Sequence, residues 1–213
     1  MGMGLIMKLG VFGGTFDPIH LGHLYIAEEA REHLGLDEVL FIPAGQPWFK
    51  TGQHITEAHH RLTMTELAVA ENPYFKVTDM EVRRAGPTYT VDTLEQLRAS
   101  RGSEWEFYLI VGLDAIKDFQ KWQKADRILD LATVVGMTRP GVDNFDPEPF
   151  ETVKKGSSEK VLVVHGPSVD LSGTDIRMRV TNGMTIKYRV PTAVEAYIYK
   201  HRLYHWEGTS KIV

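Results

Sequence analysis

Short apolar runs recur along the chain and alternate with stretches whose apolar residues return every three or four positions. The runs are LGVFGG at 9–14, EVLFIPA at 38–44, FKVTDMEV at 75–82, EFYLIVG at 106–112, ATVVGM at 132–137 and KVLVVH at 160–165. Most are continuous rather than alternating, which predicts parallel strands covered on both faces. The periodic stretches 20–34, 57–71, 90–100 and 113–131 predict helices between them. Over 20–34, Leu21, Leu24, Ala27, Arg31 and Leu34 share one face, Glu28, Glu29 and Glu32 are left to solvent, and Gly35 reads as the stop. Strands and helices alternating at this length predict an α/β fold, a Rossmann-like doubly wound parallel sheet that takes ligands outside the C-terminal ends of its strands.

The stretch 138–159 is rich in proline, glycine and charge and has little periodicity, so it reads as a surface loop. A small helical C-terminal part, about 172–205, reads as two helices separated by a turn at Asn182–Gly183, the second entered through Pro191. At 213 residues the chain suits one domain, 1–213. Apolar residues at 43% and charged residues at 24% are ordinary for a globular protein. A net charge of −4 supplies no basic stripe for a nucleic-acid backbone, which argues against nucleic acid as a partner. The absence of cysteine removes disulfides, thiolate nucleophiles and Cys-containing zinc sites, and fits a reducing compartment. The opening MGMGLIMK lacks a secretory pattern and no later run reaches transmembrane length, so the expectation is a cytoplasmic protein with no membrane partner. Met7 is an alternative start, just ahead of the first strand. The sequence is compatible with a homo-oligomer.

The chemistry concentrates in GGTFDPIHLGH at 13–23. Two adjacent glycines after a first strand permit close backbone approach, and the helix behind them offers N–H groups and a positive dipole end to an anion. The spacing is not G-x-G-x-x-G and there is no G-K-[ST] lysine, which removes support from a hydride-transfer or P-loop reading. His20 and His23, at i and i+3, share a face. A zinc site would want a third ligand and a closer match to H-E-x-x-H, and a histidine pair alone is more often structural or solvated than functional. Gly22 between them implies that something packs closely on that face.

This stretch resembles the H-x-G-H signature of the nucleotidyltransferase superfamily, and LSGTDIR at 171–177 resembles the C-terminal I-S-S-T-x-I-R motif of bacterial nicotinate mononucleotide adenylyltransferases. GPTYTVDTL at 86–94, GLDAIKDFQKW at 112–122 and TRPG at 138–141 resemble further stretches of that family in the same order. The resemblance implies a Rossmann-like sheet and transfer of AMP from ATP, with Mg2+, to nicotinate mononucleotide by in-line attack on the α-phosphorus. Pyrophosphate and nicotinate adenine dinucleotide are the implied products, as a step of NAD biosynthesis. It implies that His20, His23 and Arg177 stabilise the transferring phosphates. Gly13, Gly14, Thr15 and Phe16 would line ATP, with Asp114 near its ribose and Ser172, Thr174 and Ile176 as a second wall. Lys50, Thr90 and Trp122 would meet the mononucleotide, Trp122 by stacking on the pyridine ring. No tightly bound metal site is implied.

Each residue also has a plainer reading. Ser172 or Thr174 is a ready helix N-cap, Thr90 an N-cap for a helix beginning near Val91, Trp122 a core or surface aromatic and Lys50 a solvated lysine. His59 and His60 read as solvated, Arg61 as a partner for a carboxylate or a closure of the acceptor site, and Arg83–Arg84 as strand-end surface charge. The chain departs from the family pattern at Pro47–Lys50, at Gly173 where a second serine is usual, and at Gln123 where an aromatic often follows the tryptophan. The alternatives that remain are a preference for nicotinamide mononucleotide, a phosphopantetheine adenylyltransferase, and a non-catalytic nucleotide sensor or a structural metal protein on the same fold.

Overall fold

The computed structural model describes residues 6–47, 55–138, 145–166 and 170–205. Its first half runs β1 (Met7–Gly14), α1 (Leu21–Leu34), β2 (Glu38–Pro43), β3 (Gln46–Pro47), α2 (Ala58–Val69), β4 (Phe75–Val77), β5 (Pro87–Thr88) and α3 (Thr90–Arg101). The second half runs β6 (Trp105–Gly112), α4 (Leu113–Ile116), α5 (Ala125–Leu131), β7 (Ala132–Thr138), α6 (Glu148–Val153), β8 (Val161–His165), α7 (Gly173–Thr181) and α8 (Thr192–Lys200). Six strands form one sheet in the order β4-β2-β1-β6-β7-β8, and every pairing in it is parallel. Among these six, chain order therefore runs 3-2-1-4-5-6 across the sheet, and the direction of winding reverses between β1 and β6.

Strand side chains alternate between two cores, which explains why the runs are apolar without a break. Phe12, Val39, Phe41, Ile110, Val135 and Val164 enter one core, with Ala27 and Ala30 of α1, Met64 of α2, Ile176 of α7 and Ile198 of α8. Leu9, Val11, Leu40, Ile42, Leu109 and Val134 enter the other, with Val91 and Leu94 of α3, Ile116 of α4, Ile128 of α5 and Phe150 of α6. The fold is α/β and Rossmann-like, with helices on both faces.

Several local expectations are corrected. Helix α1 buries Ala27 and packs Leu24 and Leu34 against the first core as expected, while Leu21 is exposed and Gly22 and Ala30 are buried as well. Its end is as read, with Gly35 left-handed at φ 61°. Glu28 is not left to solvent: it accepts from Arg31 and from Asn72, and the Arg31 contact holds its carboxyl below the usual range. The run 75–82 stops being a strand at Val77, because the Thr78 hydroxyl accepts the Met80 N–H and turns the chain. The stretch 113–131 is α4, a 3₁₀ turn at Phe119–Lys121 and α5, broken where Trp122 is extended and Lys124 is left-handed at φ 49°. The loop at 138–159 contains α6, docked by a fully buried Phe150 whose carbonyl accepts from Ser157 at 2.7 Å. Thr90 begins α3 rather than capping it; Tyr89 holds the cap position. The C-terminal helices, the turn at Gly183 and the entry through Pro191 are as expected.

Candidate active site

The C-terminal ends of β1 and β6 meet at the winding reversal, and two cavities open there on either side of Thr15. The first, about 260 Å³, lies between the β1–α1 connection and the start of α7. His20, 6% exposed, precedes α1 with extended backbone. Its N–H donates to His23 Nδ1 at 3.2 Å, and the two rings stack with centroids 3.6 Å apart and 21° between planes. Because Nδ1 of His23 accepts, the neutral ring carries its proton on Nε2, a donor for phosphate oxygens. Phe16 stands edge-on to the His23 ring at 5.1 Å, holding it from the core side with the Phe16 backbone in the left-handed region at φ 48°. A Cβ at Gly22 would lie 3.1 Å from His20 Nδ1, so glycine there is what lets the His20 ring lie down on the helix.

The helix N-terminus contributes less than the sequence suggested. The Leu21 N–H donates to the Arg189 carbonyl and the His23 N–H to the His20 carbonyl, so two of the N–H groups at this end are already engaged. Arg177 supplies the formal charge. From α7 its Nη1 donates to the Asp17 carbonyl at 2.6 Å and its Nη2 to Thr174 Oγ1 at 3.3 Å, which aims the guanidinium along the cavity wall. Ser172 caps α7 by accepting the Asp175 N–H at 3.1 Å. The departure at Gly173 has a physical reason: a Cβ there would meet the Asp17 carbonyl at 2.7 Å, closer than any side chain tolerates.

His20, His23, Arg177, Thr15, Phe16, Ser172 and Thr174 thus line one cavity, as the motifs implied. Ile176 does not: it is fully buried in the first core, because its place on α7 faces the sheet. Gly13 and Gly14 lie on the second cavity, about 220 Å³, with Thr90 and Trp122. Trp122 packs against Phe119, itself stacked on Phe150, so α6 supports it from behind. Lys50 lies outside the described residues, and so does the side chain of Asp114, which belongs to α4. Gln123 is exposed. Among the described residues no group of three or more His, Cys, Asp or Glu is placed to hold a metal ion.

The family model for cytidylyltransferase-like proteins matches residues 11–179. A "Probable nicotinate-nucleotide adenylyltransferase" of Roseiflexus sp. (strain RS-1) is 47% identical over 92% of this chain and 97% of its own length. One of the same name from Dehalococcoides mccartyi (strain 195) is 43% identical over 93% and 98%. The chain belongs to the nicotinate-nucleotide adenylyltransferases of the cytidylyltransferase-like family. It is therefore a nucleotidyltransferase enzyme. The fold agrees with that of the Plasmodium falciparum nicotinic acid mononucleotide adenylyltransferase complexed with NaAD, at a TM-score of 0.75, 20% identity and coverage of 93% of this chain and 97% of that one. The same protein complexed with APC gives a TM-score of 0.73.

As in any member of this adenylyltransferase family the motifs need holding, and here three residues that sequence reasoning undervalued do it. Asp17 is buried and accepts the Thr56 N–H at 3.2 Å and the Tyr204 hydroxyl at 2.8 Å, so the C-terminal segment is strapped to the β1–α1 connection. Burial and then the Asp17 carboxylate push the Tyr204 phenol far upward, which keeps it a donor. Arg61, 1% exposed, donates to the carbonyls of Thr56, Thr15 and Gly45 at 2.8, 2.8 and 3.0 Å. It was expected to meet a carboxylate or close the acceptor site; it braces backbone instead. His60, expected in solvent, is half-buried and bonded to the Tyr197 hydroxyl at 2.9 Å, joining α2 to α8, and burial lowers its imidazole pKa. His59 is exposed as expected.

Proposed function

We propose that this enzyme transfers AMP from ATP to nicotinate mononucleotide, forming nicotinate adenine dinucleotide and pyrophosphate. The observation that carries the reading is the pair of cavities meeting at Thr15, one with His20, His23 and Arg177, the other with Thr90 and Trp122. ATP takes the first and the mononucleotide the second, so that the two phosphate ends meet at the glycine-rich end of β1. An oxygen of the mononucleotide phosphate forms a bond to the α-phosphorus, the bond from that phosphorus to the bridging oxygen breaks, and pyrophosphate leaves with the electron pair. Such a transfer needs positioning and charge stabilisation rather than a covalent nucleophile. The imidazole N–H groups and the Arg177 guanidinium serve the charge that builds on the phosphate oxygens. Mg2+ enters with the ATP phosphates as part of that substrate and shields their charge. The chain's lack of cysteine suits the reducing cytoplasm, where we place the reaction.

Trp122→Ala tests the division of labour. Loss of a stacking face raises KM for the mononucleotide by about tenfold and leaves KM for ATP unchanged, since uniform binding of one substrate is what is removed. Equal rises for both substrates in steady-state kinetics contradict the assignment of the second cavity.

A further inference from the structure

The second cavity contains a group that the transfer chemistry does not use. Its floor is apolar, formed by Val11, Ile42, Leu109 and Val111, and Trp122 stands at its wall. Among its described lining residues Glu81 is the one ionisable side chain, and it is 8% exposed. Glu81 Oε1 accepts from the Thr93 hydroxyl at 2.6 Å, and Thr93 Oγ1 in turn accepts from Arg84 Nη1 at 3.1 Å. With its lone pair facing Arg84, the Thr93 hydroxyl has Glu81 as its nearer acceptor and the Tyr89 carbonyl, at 3.4 Å, as its farther one. Among the described residues no ion pair reaches that carboxylate. Burial pushes its carboxyl upward, opposed by the Thr93 hydrogen bond, the Arg84 guanidinium beyond Thr93 and a hydrogen bond from Thr88.

A buried carboxyl in a largely apolar cavity, hydrogen-bonded through a hydroxyl and in no ion pair among the described residues, is a ready partner for a cation, and an aromatic face beside it favours a flat one. The pyridine ring of a mononucleotide is such a group, since its glycosylated nitrogen gives the ring a formal positive charge. We propose that Glu81 is the counter-ion of the pyridinium ring, and so a specificity-determining residue for the ring's charge. This rests on the mononucleotide occupying the second cavity, as proposed above. The ring charge is the same in acid and amide mononucleotides, so Glu81 selects for a pyridinium without choosing between them. Ring charge is also unchanged by the transfer, so the contact acts on binding and not on kcat.

A merely structural Glu81 would tie the turn after β4 to α3 through Thr93, and the test separates the two roles. The dissociation constant and KM are measured on the full chain for nicotinate mononucleotide and for its dihydropyridine form, in which the ring is uncharged and the phosphate, sugar and carboxylate are kept. The wild type binds the charged ring about tenfold more tightly, the size of one charge-assisted contact. Glu81→Gln weakens binding of the charged ring by that factor, leaves the uncharged ring and the KM for ATP where they were, and keeps kcat. Equal weakening of both rings, or no weakening of either, overturns the proposal. The wild-type ratio stands without any variant: binding of the mononucleotide with no preference for the charged ring overturns this inference alone, whereas no binding at all overturns the reading of the cavity with it.

Discussion

Replacing His23 by alanine lowers kcat by on the order of 10²-fold, the loss that follows when a donor to developing transition-state charge is removed. The side chain has two jobs that can be separated. Its Nδ1 accepts the His20 N–H and so shapes the start of α1, while Nε2 carries the proton of the neutral ring, which lines the first cavity. Asparagine can keep the first by accepting through its amide oxygen, and cannot reach with the second. His23→Asn is therefore expected to unfold close to the wild-type temperature and still lose turnover to a similar extent. Single-turnover rates at saturating substrates check this directly. Turnover within a few-fold of wild type in either variant removes His23 from the chemistry.

Arg61→Met is expected to lower the unfolding free energy by about 3–5 kcal/mol, because three part-buried carbonyls lose their donor together and each such loss costs about 1–3 kcal/mol before relaxation. The carbonyls belong to Thr15 beside the histidines, Gly45 after β2 and Thr56 ahead of α2, so Arg61 ties the β1–α1 connection to the segments after β2 and before α2. The variant should lose activity at temperatures where it remains folded, since Thr15 borders both cavities. Urea denaturation followed by tryptophan fluorescence measures the first effect. A midpoint shift equivalent to less than about 1 kcal/mol would mean that the carbonyls find other donors.

The strand runs were legible because each strand feeds both cores, and a continuous apolar run has few other uses at that length. The cluster of His20, His23 and Arg177 was legible because GGTFDPIHLGH and LSGTDIR follow the ends of β1 and β8, and parallel strands carry both to one edge of the sheet. The break at Lys124 was not, since a left-handed lysine leaves no glycine or asparagine to mark it and the flanking pattern continues as helix. Ile176 was misplaced for a related reason: a motif names neighbours along the chain, whereas a helix turns every third or fourth of them toward the core, here Ile176 and Val180. Arg61 and Glu81 depend on partners brought together only by folding. Arg61 reads as a partner for a carboxylate or a closure of the acceptor site, since the sequence cannot show the three carbonyls it meets, and Glu81 reads as one more residue of a run taken for strand. Gly173, a departure from the family pattern, became intelligible once the Asp17 carbonyl was found against it.

The central claim is AMP transfer to a pyridine mononucleotide, and pyrophosphate release from ATP with Mg2+ tests it most directly. Nicotinate mononucleotide, nicotinamide mononucleotide and 4′-phosphopantetheine are supplied separately as acceptors. The account predicts fast release with nicotinate mononucleotide, slower release with the amide and none with phosphopantetheine. Silence with both pyridine mononucleotides, or release with phosphopantetheine alone, would contradict it.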